Sequence, residues 1–467
     1  MTTTTRQSPP ATGQGVPEGA PQSETDALAS VEGAEPVALP TPRGMVRGVL
    51  STLAQPGPLA RETARVGRDT VRILRGTDEI APEPRDRRFA DPAWSLNPGY
   101  RRLAQSYLAV TGALDRLVAA YEAGDADWRE VEQARFVFNA FTSALAPTNT
   151  LLGNPAALKR AFDTGGRSLL RGMGHMLHDL VRNGGLPTQV DRSAFTVGLD
   201  LGTSSGAVVY RDEVIEVLQY APSTAQVRQR PVVIVPPPIG RFYFLDLRTG
   251  RSFVEYAVSQ GLQTFMISWR NPSKEQSEWD LDTYAQAVLD AVDVAREITD
   301  SPDVTTMGFC AGGQIMTTAL NHLAATADER VHAAAYAVTL LDFSRRAPLG
   351  AFSGPRLLEF ARRNSRRQGV ITARQMGSVF TWMRPDDLIF NYLVSEWLMG
   401  EDPPAFDILA WNADGTNLPA RLHEQFLEIF GKNALVKAGA LRVLGTPVHL
   451  GRITLPTFVT GALTDHL

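Results

Sequence analysis

The ten residues Val304–Gly313, Val-Thr-Thr-Met-Gly-Phe-Cys-Ala-Gly-Gly, constrain this chain more than any other stretch of it. The β-branched lead-in predicts a short buried strand, and the amphipathic run Gln314–Thr326 predicts a helix. Between them, Gly308-x-Cys310-x-Gly312 reads as a sharp strand-to-helix turn that presents a nucleophile, with Cys in the position Ser often takes. A turn this tight strains the backbone of its central residue, and a β-carbon two residues to either side would strike the strand or the helix. Two plainer readings compete. A lone cysteine is most often a small buried hydrophobe, and a glycine-rich turn before a helix can hold phosphate. This turn lacks the Lys-Ser/Thr of a phosphate loop and the spacing of a dinucleotide fingerprint, so its context favours the nucleophile.

Composition narrows the setting. Cys310 is the only cysteine, which excludes an internal disulfide and a cysteine-based metal site and suits a reducing cytoplasm. A formal net charge of −4 offers no electrostatic footprint for nucleic acid or an anionic membrane. Met1–Pro10 has neither the basic nor the apolar part of a secretory leader. The longest apolar run, around Ala333–Leu341, is too short for a transmembrane segment, so a soluble protein is expected.

Three regions follow in order. Residues 1–84 read as an N-terminal extension. Thr2 to about Arg43 is rich in Pro, Gly, Ser, Thr and Glu and is expected to be disordered, because it cannot bury enough apolar surface to offset its ordering entropy. Met45–Leu74 is expected to be sparsely helical and broken at Pro56-Gly57-Pro58. Its Leu59, Val66, Val71 and Leu74 suit a peripheral amphipathic segment that touches a partner or a greasy surface, with a plain solvated helix the favoured reading. Residues 85–190 form an expected helical domain, with apolar residues at helical spacing over Tyr100–Ala123, Trp128–Leu145 and Asn154–Leu180. His175 and His178 stand there three apart without a third ligand, which points to surface or packing roles.

Residues 191–467 change character. Phe195–Leu199, Ala207–Arg211 and Glu213–Tyr220 read as short strands, the last two joined at Arg211-Asp212. Val232–Val235, Thr264–Trp269, Val304–Phe309 and Ala335–Leu341 read as strands, the first two apolar enough for burial on both faces of a sheet. Phe244–Ser259 and Thr283–Ile298 read as helices between them. Such alternation predicts an α/β fold with a mostly parallel sheet and right-handed crossovers. Cys310 would then stand at the carboxyl edge, where such sheets bind ligands. Phe343 to about Gly431, rich in Arg, Trp, Phe and Pro, interrupts the alternation, either as a lid over that edge or as ordinary core. Thr454–Thr460 returns as a strand, followed by Asp465-His466.

In α/β-hydrolase order a nucleophile is followed by an acid after a late strand and then by a histidine. Asp465 fits the acid. The backbone N–H of Ala311 and one from the turn after Val235, at Ile239, would form the oxyanion hole.

The chain also resembles the polyhydroxyalkanoate synthases of the single-subunit kind, from about Arg87 to its last residue. The motifs that carry the likeness begin with Asp86-Arg87-Arg88-Phe89, Ala146-Pro147-Thr148-Asn149 and Asn154-Pro155. They continue through Gly206-Ala207-Val208-Val209, Leu218-Gln219-Tyr220, Pro236-Pro237-Pro238-Ile239, Ser268-Trp269-Arg270-Asn271-Pro272 and the Cys310 turn. Leu341-Asp342-Phe343, Met383-Arg384-Pro385-Asp386-Asp387-Leu388, Trp411-Asn412-Ala413-Asp414, Thr416-Asn417-Leu418-Pro419 and Asp465-His466 complete the series.

The resemblance implies transfer of (R)-3-hydroxyacyl groups from coenzyme A onto a growing polyester held on Cys310 as a thioester, with Asp465 the catalytic aspartate. It implies no cofactor beyond the coenzyme A thioester substrate, a homodimer, and a cytoplasmic enzyme at the storage-granule surface. Where the family carries Asn-Lys-Tyr after Ile239, this chain has Gly240-Arg241-Phe242. The family's base histidine follows the Asp-His pair, and the sequence stops at Leu467. A truncated fold, a fragment of a longer protein, is therefore the expectation, with an inactive relative as the alternative. A cysteine hydrolase of the dienelactone hydrolase kind and a non-catalytic granule-associated protein are the competing functions.

Overall fold

The computed structural model describes residues 42–463, without the side chains of 42–44 and 46. The expected disorder up to Arg43 therefore falls almost wholly outside the described residues, as do Asp465 and His466.

Two helices, α1 (Pro42–Leu53) and α2 (Pro56–Arg75), open the described chain. The Pro56-Gly57-Pro58 break is narrower than expected. Pro56 opens α2, where its missing N–H costs nothing, and Gly76 closes it in the left-handed conformation. Both helices are anchored rather than merely solvated. Met45 and Ile73 are buried, and α1 and α2 pack against α4 (Trp128–Ala144) and α3 (Pro98–Glu122) respectively. Leu59, Val71 and Leu74 stay exposed. The helix expected over Asn154–Leu180 is two, α5 (Pro155–Asp163) and α6 (Arg167–Arg182). Gly165 and Gly166 both take positive φ between them, which no continuous helix allows.

The sheet has seven strands: β1 (Gly206–Arg211), β2 (Ile215–Tyr220), β3 (Val232–Val235), β4 (Thr264–Trp269), β5 (Val304–Phe309), β6 (Val331–Ala337) and β7 (Thr457–Thr460). Their order is β1-β2-β4-β3-β5-β6-β7. Only β2 runs against its neighbours; β4, β3, β5, β6 and β7 pair in parallel, with Val235 beside Gly308 and Met307 beside Ala335. β7 is an edge strand whose Phe458 and Val459 are exposed.

Both faces of the central strands are buried. Val233, Val235, Phe265 and Ile267 point to one cluster with α8 (Leu281–Thr299) and α9 (Ala311–Thr326), while Ile234 and Met266 point to a second. Full burial of each such side chain stabilises the fold by about 1.5–3 kcal/mol. That explains why β3 and β4 read as continuous apolar runs rather than alternating ones.

Three expectations are corrected. Phe195–Leu199 is not a strand: it forms a turn in which the Asp200 carboxylate accepts from the Thr196 N–H, leaving Val197 and Leu199 exposed. The helix expected from Phe244 begins only at Phe253, as α7 (Phe253–Ser259). Ser252 caps it by accepting from the Glu255 N–H, and buried Asp246 holds the preceding loop by accepting from Ser204 and Ser252 hydroxyls. β6 ends at Ala337 instead of Leu341, because Val338 takes φ +46°.

The stretch Phe343–Gly431 is mostly helical, with α10 (Pro355–Gln368), α11 (Ala373–Met383), α12 (Asp407–Ala413) and α13 (Ala420–Lys432). Leu418, Leu422 and Ile429 belong to the main sheet core, so part of this stretch is core. Among the described residues no helix is long and apolar enough to cross a membrane.

Candidate active site

β5 delivers Cys310 to the carboxyl edge of the sheet, and α9 leaves from it at once, with Ala311 its first residue. Cys310 has φ +48° and ψ −124°, a conformation that costs of order 1–3 kcal/mol for a residue with a side chain. Two backbone bonds hold it there: its N–H donates to the Ala337 carbonyl at 3.1 Å, and its carbonyl accepts from Gly313 at 3.1 Å. The residue is half-buried.

Three glycines make the turn possible by allowing close approach. A Cβ on Gly308 would stand 2.5 Å from the Gly313 Cα. One on Gly312 would overlap the Val235 and Pro236 carbonyl oxygens, and one on Gly313 would overlap the Thr339 side chain. Thr339 is a contributor that sequence reasoning missed. Its hydroxyl reaches the Ala337 carbonyl at 3.2 Å, and no local signal marks it.

The close approach of Gly312 to Val235 and Pro236 brings the turn after β3, with Ile239, alongside the start of α9. That turn is clamped from the far end of the chain. The Thr416 hydroxyl donates to the Pro238 carbonyl at 2.6 Å, and the Trp411 indole N–H to the Arg241 carbonyl at 2.8 Å. The Tyr243 hydroxyl donates to Asp414 at 2.8 Å; burial, and then the Asp414 charge, raises that phenol's pKa. Gly240 lies under the Trp411 ring, where a Cβ would come within 2.7 Å of Cζ2. The Gly240-Arg241-Phe242 departure thus sits where a bulkier residue would displace the indole. Trp411 also packs on Phe244 at 5.2 Å, and Phe244 meets Phe309, next to Cys310, edge-on at 6.0 Å.

The neighbouring loop after β4 is tied to the same segment. The Asn417 N–H donates to the Asn271 side chain at 2.8 Å, and Trp269 donates its indole N–H to the Pro236 carbonyl at 2.8 Å. The Trp-Asn-Ala-Asp and Thr-Asn-Leu-Pro motifs were visible in sequence; what they hold was not.

Asp342, shortly after β6, accepts from the Ser344 N–H at 2.8 Å and from Asn433 at 2.7 Å. Those bonds hold its carboxyl below the usual range, Ser344 first. It orders its loop.

Among the described residues, five histidine side chains have partners away from Cys310. His175 and His178 face Asp402 and Asp179, each at 3.5 Å, so the two on α6 do not converge on one point. His322 meets the Thr446 hydroxyl at 2.9 Å, and His423 the Ser365 hydroxyl at 2.5 Å. His332, at the start of β6, faces Asp303 at the amino end of the sheet, opposite Cys310. His449 donates its backbone N–H to Asn321.

Comparison with known proteins agrees with both halves of this architecture. The profile of the poly-beta-hydroxybutyrate polymerase (PhaC) N-terminus matches residues 85–257, and that of the alpha/beta hydrolase fold matches residues 247–467. Poly(3-hydroxyalkanoate) polymerase 1 of Ectopseudomonas oleovorans is 45% identical over 413 residues, 88% of this chain and 73% of that protein. Polymerase 2 of the same organism is 43% identical over 417 residues, 89% of this chain and 74% of that protein. The polymerase subunit PhaC of Cupriavidus necator is 38% identical over 405 residues, covering 85% and 67% respectively. Because matches at 38–45% identity span 85–89% of the chain, and the family profile of the N-terminus covers residues 85–257, the chain belongs to the poly(3-hydroxyalkanoate) polymerase family, acyl-transferring enzymes on an α/β-hydrolase fold.

Proposed function

We propose that this protein polymerises (R)-3-hydroxyacyl groups from coenzyme A through a thioester on Cys310. The observation that carries the reading is the strained presentation of that sulfur at the sheet's carboxyl edge, in a chain 45% identical to a polymerase. Cys310 gives its proton to a general base and attacks the thioester carbonyl. The acyl–sulfur bond to coenzyme A breaks, and coenzyme A leaves as the thiol on taking up a proton. One thioester replaces another at nearly equal energy, so the acyl group stays activated. A hydroxyl then gives up its proton and attacks that carbonyl, which forms the ester link and returns the Cys310 thiol.

The N–H groups of Ala311 and Ile239 are proposed as oxyanion donors, since the start of α9 and the turn after β3 flank the cysteine and the developing negative charge favours a helix N-terminus. Asp465 is proposed as the catalytic aspartate from its motif. Part of Phe343–Gly431 is proposed to cover the site, supported by the grip of Trp411 and Thr416 on the turn around Ile239 and of Asn417 on the loop after β4.

Incubation with 3-hydroxybutyryl-coenzyme A tests the reading. Release of coenzyme A with polymer, and an acyl adduct on the Cys310 peptide, are expected from the parent, and neither from Cys310→Ala. Release with free hydroxy acid alone, or polymer formed by Cys310→Ala, would overturn it.

A further inference from the structure

Away from Cys310, α10, α13 and the segment 440–442 enclose a cavity of about 260 Å³ into which four arginines open: Arg362, Arg366, Arg421 and Arg442. We propose that it is a binding site for a phosphate-bearing anion of at least two negative charges.

The charge arrangement is the first ground. The chain as a whole carries −4, yet α10 alone holds Arg356, Arg362, Arg363, Arg366 and Arg367 against a single acid, Glu359. Arg362 and Arg366, like Arg363 and Arg367, are four apart, a spacing at which like charges destabilise a helix. The fold then adds Arg421 and Arg442 to the same cavity, from two other elements. The two carboxylates lining the cavity are already engaged. Glu428 pairs with Lys432 at 2.8 Å. Glu424, only 7% exposed, pairs two-pronged with Arg366 and with Arg421 at 3.4 Å.

Glu424 is also the construction ground. One buried carboxylate backs two guanidinium groups, fixing the plane of Arg366 through two bonds and holding Arg421 by one, while leaving their side chains 60% and 49% exposed. Fixed guanidinium forks match tetrahedral oxyanions through paired N–H bonds. The walls are joined behind the cavity by Ser365 and His423, whose contact links α10 to α13. Burial pushes that imidazole down to about 4, so it stays neutral and adds no charge. Gln425 is immobilised as well, its side-chain oxygen accepting from the Leu281 N–H at 2.7 Å.

Two sources carry this chemistry: the phosphates of a coenzyme A thioester, and free phosphate compounds acting as effectors. Only the first rests on the proposed acyl transfer. Titration calorimetry of the full chain with inorganic pyrophosphate tests the site without any turnover. Binding is expected to weaken with added salt, and about tenfold or more for each guanidinium removed in Arg362→Gln and Arg442→Gln. Neither residue belongs to the buried Glu424 pair, and equal melting temperatures certify the variants as folded. Coenzyme A that displaces pyrophosphate, while dephospho-coenzyme A does so weakly, assigns the substrate's own phosphates. Displacement by ATP and not by coenzyme A assigns a separate effector. Absence of pyrophosphate binding at millimolar concentration, or binding unchanged in the double variant, would overturn the proposal. Intact polymer formation in that event would leave the proposed function standing.

Discussion

Glu396 offers the sharpest physical test of this fold. It lies in the π-helical turn Leu393–Leu398, packed against α6 where Gly172 lets the carbonyls of Glu396 and Trp397 approach. The residue is 1% exposed and neither carboxylate oxygen has a hydrogen-bond partner. Buried Asp179 stands beside it, its own oxygens taken by the Thr188 hydroxyl at 2.5 Å and the Trp397 indole at 2.8 Å. Burial, and then the Asp179 charge, lift the Glu396 carboxyl from 4.5 to about 8. The sign follows from proton counting. Between those two values the folded chain holds a proton that the unfolded chain has released, so stability falls as pH rises, by about 1.4 kcal/mol per unit. In Glu396→Gln this dependence is gone. From about pH 5.5 to about pH 7.5 the variant's advantage over the parent should therefore grow by roughly 2–3 kcal/mol. In a thermal scan that is a divergence of roughly 2–5 °C for a folded unit of this size. Parallel melting curves for the two proteins across that range would refute the reasoning.

The remaining expectations concern the site. Cys310→Gly should raise stability by about 1 kcal/mol by relieving the positive-φ strain while abolishing acyl transfer; a lower melting temperature would contradict the strain. Gly313→Ala should cost about 1–3 kcal/mol through overpacking against Thr339. Thr339→Ala should recover part of that loss in a double-mutant cycle, whereas additive losses would show that the two do not touch. Thr416→Val leaves the buried Pro238 carbonyl unpaired, at about 1–2 kcal/mol. If the turn at Ile239 supplies an oxyanion donor, coenzyme A release should fall about tenfold or more; an unchanged rate would remove that donor from the account.

Much of the sheet was legible because its strands obey local rules. Val232–Val235 and Thr264–Trp269 are largely apolar on both faces, and they and the β-branched run Val304–Phe309 fold as strands over those very bounds. The misreadings fall where a side chain elsewhere decides the backbone. Phe195–Leu199 has strand-like composition, but Asp200 turns it back on itself. Phe244 looks like the start of a helix until Asp246 gathers Ser204 and Ser252 and delays that start to Phe253. Neither partner is visible to a reading of periodicity.

The site divides along the same line. The glycines around Cys310 could be read from the sequence because so tight a strand-to-helix turn needs them whatever packs against it; of their contacts only that of Gly308 with Gly313 is local, while Gly312 meets Val235 and Pro236 and Gly313 meets Thr339. The clamp on the turn after β3 could not, because Trp411, Asp414 and Thr416 come from about 170 residues further along the chain. The same stretch that supplies this clamp also feeds Leu418, Leu422 and Ile429 into the main core. Gripping that turn and filling the core are therefore not alternatives here. A segment that must hold the Ile239 turn steady gains from being seeded in the core, since rigidity at the turn is worth only as much as the anchoring of what grips it.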